Sequence, residues 1–196
     1  MKSLLLSFVL LSPLFLFAQE PADESARLDF SGSYYGNNLW NPGLKFGSEY
    51  IWREWVKTKE KKKRTRTKTN RFVFNGDAGF YWDPMNYTAL FLYSGIRFRH
   101  INTKGFHYHF GAAPVAYYRS FLTETYEVSS SGEVDKVPLP GRSYYAPTLS
   151  LGLGKYRRGE YRLKAWFLDL DVMFLVPYNA DFVPLLNVSY GYRFNL

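Results

Sequence analysis

The chain contains no cysteine, only three methionines and three histidines, and beyond residue 20 no uncharged run that reaches 18 residues. Without cysteine there is no disulfide scaffold, thiolate zinc site, iron–sulfur cluster or cysteine nucleophile. Without a long apolar run there is no membrane-spanning helix after residue 20, since such a helix needs roughly 20 apolar residues. Sequences of the type G-x-S-x-G, H-E-x-x-H or a phosphate-binding glycine loop do not occur, so those hydrolytic and nucleotide chemistries have no carrier. What is abundant is aromatic: 20% of the 196 residues, including 17 Tyr and 17 Phe. That share favours β-structure with large surfaces to cover, and the length fits one domain or one closed β-structure.

The N-terminus reads as an address. Lys2 supplies a positive start, Leu4 to Phe17 an apolar stretch broken only by Ser7, Ser12 and Pro13, and Ala18 a small residue ahead of Gln19 and Glu20. This is the pattern of a cleaved secretory signal peptide over residues 1–18, followed by a short segment, 19–26, and a single domain over 27–196. The mature chain then works outside the cytoplasm, which disfavours a nucleic-acid partner.

Periodicity predicts the fold. From Leu186 to Leu196, Leu, Val, Tyr, Tyr, Phe and Leu alternate with Asn, Ser, Gly, Arg and Asn, the rhythm of a strand with one apolar face. It recurs in Leu28 to Gly36, Leu44 to Trp55, Phe72 to Trp82, Leu90 to His100, Phe106 to Leu122, Tyr145 to Arg157 and Tyr161 to Phe174, making eight segments. Most match the roughly 9–11 residues that a tilted strand needs to cross a bilayer. Charges recur at i, i+2 opposite the apolar face, and Gly47, Gly79, Gly95, Gly111, Gly152 and Gly154 share the polar side. Eight strands enclose only enough room for side chains. The prediction is therefore an all-β, antiparallel up-and-down eight-stranded transmembrane β-barrel, ions inward and aromatics toward lipid, with Trp40, Trp52, Trp82 and Tyr178 as interfacial girdles. The alternative is a soluble barrel that keeps the apolar set inside. In the seventh segment the apolar phase slips near Trp166 and Phe167, which predicts a β-bulge there. Pro114 and Pro147 predict a bulge or strand end.

The signal peptide, the eight amphipathic segments and the final Tyr-Gly-Tyr-Arg-Phe-Asn-Leu resemble the small outer-membrane β-barrels of Gram-negative bacteria, the OmpA/OmpX-sized class, with Bacteroidota-like cleavage and terminal contexts. The resemblance implies a place in the cell outer membrane, contact with outer-membrane lipid, and a terminal-strand signal for the barrel assembly machinery on Tyr190, Tyr192, Phe194 and Leu196, where the class usually ends in Phe. It also implies periplasmic termini. The outward loops are then Asn37 to Pro42, Asp83 to Asn86, Thr123 to Gly141 and Leu175 to Pro184; the inward turns are Lys57 to Thr69, Asn102 to Gly105 and Arg158 with Gly159. Fold resemblance leaves the function open among pores, enzymes and anchors.

One inward turn breaks the rule that such turns are short. The hairpin over residues 57–69 holds Lys57, Lys59, Lys61, Lys62, Lys63, Arg64, Arg66 and Lys68 against a single Glu60, a net +7. That equals the net charge left once Lys2 departs with the signal peptide, so the rest of the mature chain is neutral. Alternation with Thr65, Thr67 and Thr69 predicts a ribbon with a cationic face. One reading is a self-repelling solvated run; the other is an arm that binds anions such as lipopolysaccharide phosphates or an acidic envelope partner.

Within the lumen, Arg97, Arg99, Arg119 and Arg193 are expected to pair with Glu49, Asp77, Asp169 and Asp171 and so plug the interior, because charges out of water need partners; a narrow ion channel is the alternative. His107 and His109 share a face with His100 nearby across a turn, a spacing open to a metal but also to hydrogen bonding with acids; no metal and no cofactor is assigned. Arg99-His100-Ile101-Asn102-Thr103 resembles the Arg-His-x-Ser-Asn motif of the lipid A deacylase family, a hydrolase that uses a serine nucleophile. Here Asn102 stands at the nucleophile's position, and an amide cannot be deprotonated into one. The same residues read as a hairpin turn with Gly105 at positive φ. The leading function is a non-enzymatic envelope-structural or binding role, with a lipid A-modifying enzyme as the alternative from another class. Contacts are also expected from the loop of Tyr126 to Gly141, tipped by Ser129, Ser130, Ser131 and Gly132, or from Leu39, Trp40 and Asn41.

Overall fold

A computed structural model describes residues 28–61, 64–130, 132–138, 140–157, 164–178 and 181–195. The signal peptide, the segment 19–26, Lys62, Lys63, Ser131, the Arg158–Gly159 turn, Tyr161, Leu163 and Leu196 lie outside the described residues. The described residues form twelve strands: β1 (Leu28–Asn37), β2 (Asn41–Lys61), β3 (Arg64–Asp83), β4 (Tyr87–Ile101), β5 (Phe106–Ala113), β6 (Val115–Phe121), β7 (Tyr126–Val128), β8 (Val134–Lys136), β9 (Gly141–Tyr145), β10 (Thr148–Tyr156), β11 (Ala165–Tyr178) and β12 (Asp181–Asn195). Ten of them form eight staves. β5 and β6 are two halves of one stave interrupted at Pro114, and β9 and β10 two halves of another interrupted at Ala146 and Pro147. Proline has no amide hydrogen for the ladder, and both breaks fall where the sequence placed them.

Every stave pairs antiparallel with its chain neighbours, and β1 pairs with β12 from Asp29↔Asn195 to Asn37↔Asn187, which closes the ring. Closure removes the exposed strand edges that an open sheet would present. The turn between β4 and β5 is built as its residues dictate: Asn102 Oδ1 accepts the amides of Lys104 and Phe106, and Gly105 takes φ 77°.

One expectation about the strands is corrected. The phase slip near Trp166 and Phe167 is not a bulge: β11 pairs with β12 without interruption from Ala165↔Arg193 to Leu175↔Val183, and with β10 from Ala165 to Met173. Phe167 points inward because its ring centroid lies 5.0 Å from the Arg193 guanidinium, a cation–π contact that gives an aromatic a place in an ionic lumen. Register shifts lie elsewhere: near the end of β11, where the pairs pass from Leu175↔Val183 to Tyr178↔Asp181, and in β2, where they pass from Ile51↔Val73 to Arg53↔Phe72 and Trp52 is the extra residue. The long loop after β6 carries structure of its own. β7 and β8 pair as a separate hairpin, Tyr126↔Lys136 to Val128↔Val134, tied at its base where Glu124 accepts from Lys136 and from the Tyr126 hydroxyl.

The faces are inverted relative to a water-soluble protein. Phe46, Leu92 and Leu151 are each about 60% exposed on the outer surface, whereas Arg99 and Arg193 are fully buried inside. Leaving a Leu or Phe in water forfeits about 1.5–3 kcal/mol. The outer belt holds dozens of such groups, so in water the loss would far exceed the roughly 5–15 kcal/mol that stabilises a domain. An antiparallel eight-stranded barrel with this polarity is an outer-membrane barrel, its belt facing hydrocarbon.

Candidate functional site

The lumen has two storeys. Near the end that bears the loops, the inward positions are filled by Tyr35, Tyr81, Phe91, Tyr93, Val115, Tyr117, Met173, Leu175 and Leu185, a buried apolar cluster. The Tyr35 ring packs at a tilt on Phe91, 4.5 Å between centroids, and Tyr81 shares a hydroxyl contact with Tyr117. Sequence reasoning missed this storey because its residues share parity with the lumen charges, and alternation by itself labels that face polar. Arg119 is held at this level by the Tyr117 hydroxyl, 3.2 Å away, with the Tyr87 ring 4.3 Å from its guanidinium. It is not placed in the acidic cluster below.

Toward the termini the lumen is ionic. Glu49 is the hub: it meets Arg97 at 3.0 Å, Arg99 at 2.6 Å and Arg193 at 2.8 Å. Arg97 also reaches Asp77 at 3.2 Å and Asp169 at 4.0 Å. Lys45 Nζ, absent from the sequence-based set, pairs with Asp171 at 3.2 Å and lies 5.5 Å from the rings of Tyr35 and Tyr93. With Asp29, also buried, the described lumen holds five acids, Asp29, Glu49, Asp77, Asp169 and Asp171, against five cations, Lys45, Arg97, Arg99, Arg119 and Arg193. Balance of this kind is what burial demands of ions.

His107 and His109 also face the lumen, stacked 6.2 Å apart, with His109 Nε2 3.3 Å from Asp169. Close approach explains two glycines: a Cβ at Gly152 would overlap His109 and Asp169, and one at Gly154 would overlap His107. His100 is on the other side of the sheet, corrected from its expected proximity: its Nδ1 lies 2.7 Å from Asn70 Oδ1 and its ring packs on Tyr108. Among the described residues no three His, Asp or Glu side chains gather as a metal site. The deacylase-like stretch is likewise occupied. Asn102 builds its turn, and Thr103 donates to the Thr67 carbonyl at 2.8 Å and accepts the Thr67 amide at 2.9 Å.

Outside the ring, β2 and β3 run on together to the pair Lys61↔Arg64, past the last β1 contact at Tyr50 and the last β4 contact at Thr69. The Trp52 bulge sets what this ribbon shows. In β2 before the bulge, odd residues such as Lys45 and Glu49 face the lumen; after it, Arg53 pairs with the outward Phe72, so the odd residues turn outward. Cross-strand pairs Lys57↔Lys68 and Lys59↔Arg66 therefore both lie on the face continuous with the barrel's exterior. The opposite face carries Val56↔Thr69 and Thr58↔Thr67. Immediately above the ladder, on the same exterior face, Trp52, Trp55, Phe72, Phe74 and Phe98 form a connected aromatic cluster with centroids 5.3–6.4 Å apart. Lys57, Lys59, Arg66 and Lys68 are exposed, and none of them makes an ion pair among the described residues. Like charges set directly opposite one another destabilise a ladder.

The other end has the opposite sign: Asp83, Glu124, Glu127, Glu133, Asp135 and Asp181 against Lys136 and Arg142 among the described loop residues. Leu39 and Trp40 project there, 63% and 86% exposed, with Leu39 at φ 69°. In the hairpin, hydrogen bonds from Lys136 and Tyr126 hold the Glu124 carboxyl below the usual carboxylate range. Tyr190, Tyr192 and Phe194 line up outward on β12.

No protein-family model matches the chain. No curated protein matches it. Among solved structures it is similar to the outer membrane enzyme PagL, with TM-score 0.49 and 8% identity over 86% of this chain and 99% of that one. It is similar to the beta domain of the Bordetella autotransporter BrkA, with TM-score 0.37 and 7% identity over 84% of this chain and 66% of that one. It also resembles Ail, the attachment invasion locus protein of Yersinia pestis, solved with the heparin analogue sucrose octasulfate, with TM-score 0.23 and 10% identity over 85% and 95% of the two chains.

Proposed function

We propose that this outer-membrane barrel neither conducts nor catalyses but binds: its cationic ribbon engages the phosphates of anionic envelope lipid on the side of the membrane where the termini lie. Residues 1–18 serve as its cleaved export signal, and Tyr190, Tyr192, Phe194 and Leu196 as the strand read by the assembly machinery. The observation that supports the reading is the Trp52 bulge, which turns the cations of β2 to the face that those of β3 share with the aromatic cluster. Aromatic rings settle at the headgroup level. Lys57 and Lys68 stand only two residue pairs beyond Trp55↔Asn70, about 7 Å at strand rise, which is phosphate depth. A ladder built for solvation alone has no need of a common face. Lipopolysaccharide phosphates are the weaker candidates, because the loop end is acidic.

The folded barrel in zwitterionic nanodiscs is expected to cosediment with phosphatidylglycerol vesicles and not with phosphatidylcholine vesicles, and to be released as salt screens the contact. The quadruple variant K57Q/K59Q/R66Q/K68Q is expected to fold and to lose that binding. Unchanged, salt-insensitive binding by the variant would overturn the proposal.

A further inference from the structure

Across the ring from the ribbon, the terminus-side rim holds a second, differently built cationic site. An open cavity of about 660 Å³ is lined by Lys104, Lys155, Tyr156, Arg157, Lys164, Trp166 and Tyr192, a size within the roughly 300–1,000 Å³ of small-ligand sites. Its frame is fixed by the backbone. The Tyr156 amide donates to the Gly105 carbonyl at 2.9 Å, which sets the turn residue Lys104 beside Lys155, and the Arg157 amide donates to the Lys164 carbonyl at 3.0 Å. Lys155 and Tyr192 are both direct cross-strand neighbours of Trp166. Four cations thus converge from one turn and two strand ends, the described lining contains no acid, and none of the four makes an ion pair among the described residues.

The rest of the lining says what kind of anion fits. Trp166 and Tyr192 belong to the exterior face, and above them Leu168, Tyr190 and Leu153 continue it toward the membrane centre. A free phosphate would have no use for that apolar wall. A phosphate that carries acyl chains would use both parts, with its anionic head among the four cations and its chains along the aromatic and leucine surface. We infer that this cavity is a stoichiometric site for the phosphate headgroup of one anionic phospholipid. The inference rests on the membrane-spanning placement in the proposed function but not on the ribbon, and basic clusters at the headgroup level are suited to such lipids.

Native mass spectrometry of the folded full-length barrel in detergent, titrated with phosphatidylglycerol, phosphatidylcholine of the same chains, or inorganic phosphate, tests it. One phosphatidylglycerol is expected to be retained in preference to phosphatidylcholine. The triple variant K155Q/R157Q/K164Q is expected to weaken retention about hundredfold, and K104Q alone about fivefold, from the contribution of each basic side chain near a headgroup. The ribbon variant is expected to retain the lipid unchanged, so this site and the ribbon fail or hold separately. Retention unaltered in both pocket variants, or lost in the ribbon variant instead, would overturn the inference. Displacement of the lipid by equimolar inorganic phosphate would overturn its lipid character and leave a free-anion site.

Discussion

Replacing Glu49 by Gln is the sharpest probe of how this barrel is held together. The side chain keeps its shape, so packing is undisturbed, but three guanidiniums lose their shared carboxylate: Arg97 keeps Asp77, whereas the Arg99 and Arg193 contacts to Glu49 at 2.6 and 2.8 Å become contacts to a neutral amide. Removing one partner of a buried ion pair costs about 3–5 kcal/mol, because the other charge stays buried without compensation. Equilibrium urea unfolding of the barrel in phosphatidylcholine vesicles, with E49Q compared to the parent, reads this loss directly. The double variant E49Q/R193Q removes a cation together with the acid and is expected to recover at least about 1 kcal/mol of the deficit, since residues in one network couple by amounts of that order. A loss below about 1 kcal/mol in E49Q, or strict additivity in the double variant, would show that the lumen is not organised around Glu49.

Two further predictions bear on the fold. Deleting Trp52 joins Ile51 directly to Arg53, so Arg53 still opposes the outward Phe72, and Lys57 and Lys59 keep their common face with Lys68 and Arg66; binding to phosphatidylglycerol vesicles is expected to persist within about twofold, and a loss of about tenfold would mean that the Trp52 ring, rather than the facing of the cations, carries the contact. G154A places a methyl group where the His107 ring and the Trp166 carbonyl already lie; unfolding titrations are expected to show a loss of about 1–3 kcal/mol from overpacking, and a neutral result would mean that the His107 side of the lumen yields freely.

Much of the architecture was legible in residue order. Alternation in Leu186 to Leu196 identified β12 and its outward face, Pro114 and Pro147 marked the two interrupted staves, and Asn102 with Gly105 announced the β4–β5 turn. The lumen acids and arginines were readable by the same parity. Lys45 escaped because it is a single cation set between Leu44 and Phe46 with no second cation at i ± 2, and Asp29 because it stands alone at a strand start. The apolar storey escaped for the opposite reason: Tyr35, Tyr81 and Tyr117 sit at lumen parity, yet nothing local distinguishes an inward tyrosine from a lipid-facing one. The phase slip near Phe167 was read as a bulge because an aromatic facing inward looks like an error until the Arg193 guanidinium over its ring is known. The bulge in β2 was invisible, since apolar and aromatic residues around Trp52 satisfy either phase.

What residue order determined by itself is the set of strands, their oily and ionic faces and the concentration of positive charge in one hairpin, because each is written at spacings of one or two positions along a single strand. Only the closed ring decided the rest: that Glu49 gathers three arginines from two other staves, that both halves of the basic hairpin turn their cations the same way, and that Lys104 meets Lys155, Arg157 and Lys164 at one rim. Those relations depend on register between strands up to about 150 residues apart, as in Asn37↔Asn187. Register is chosen by the joint packing of all eight staves, a cooperative choice that no one segment records.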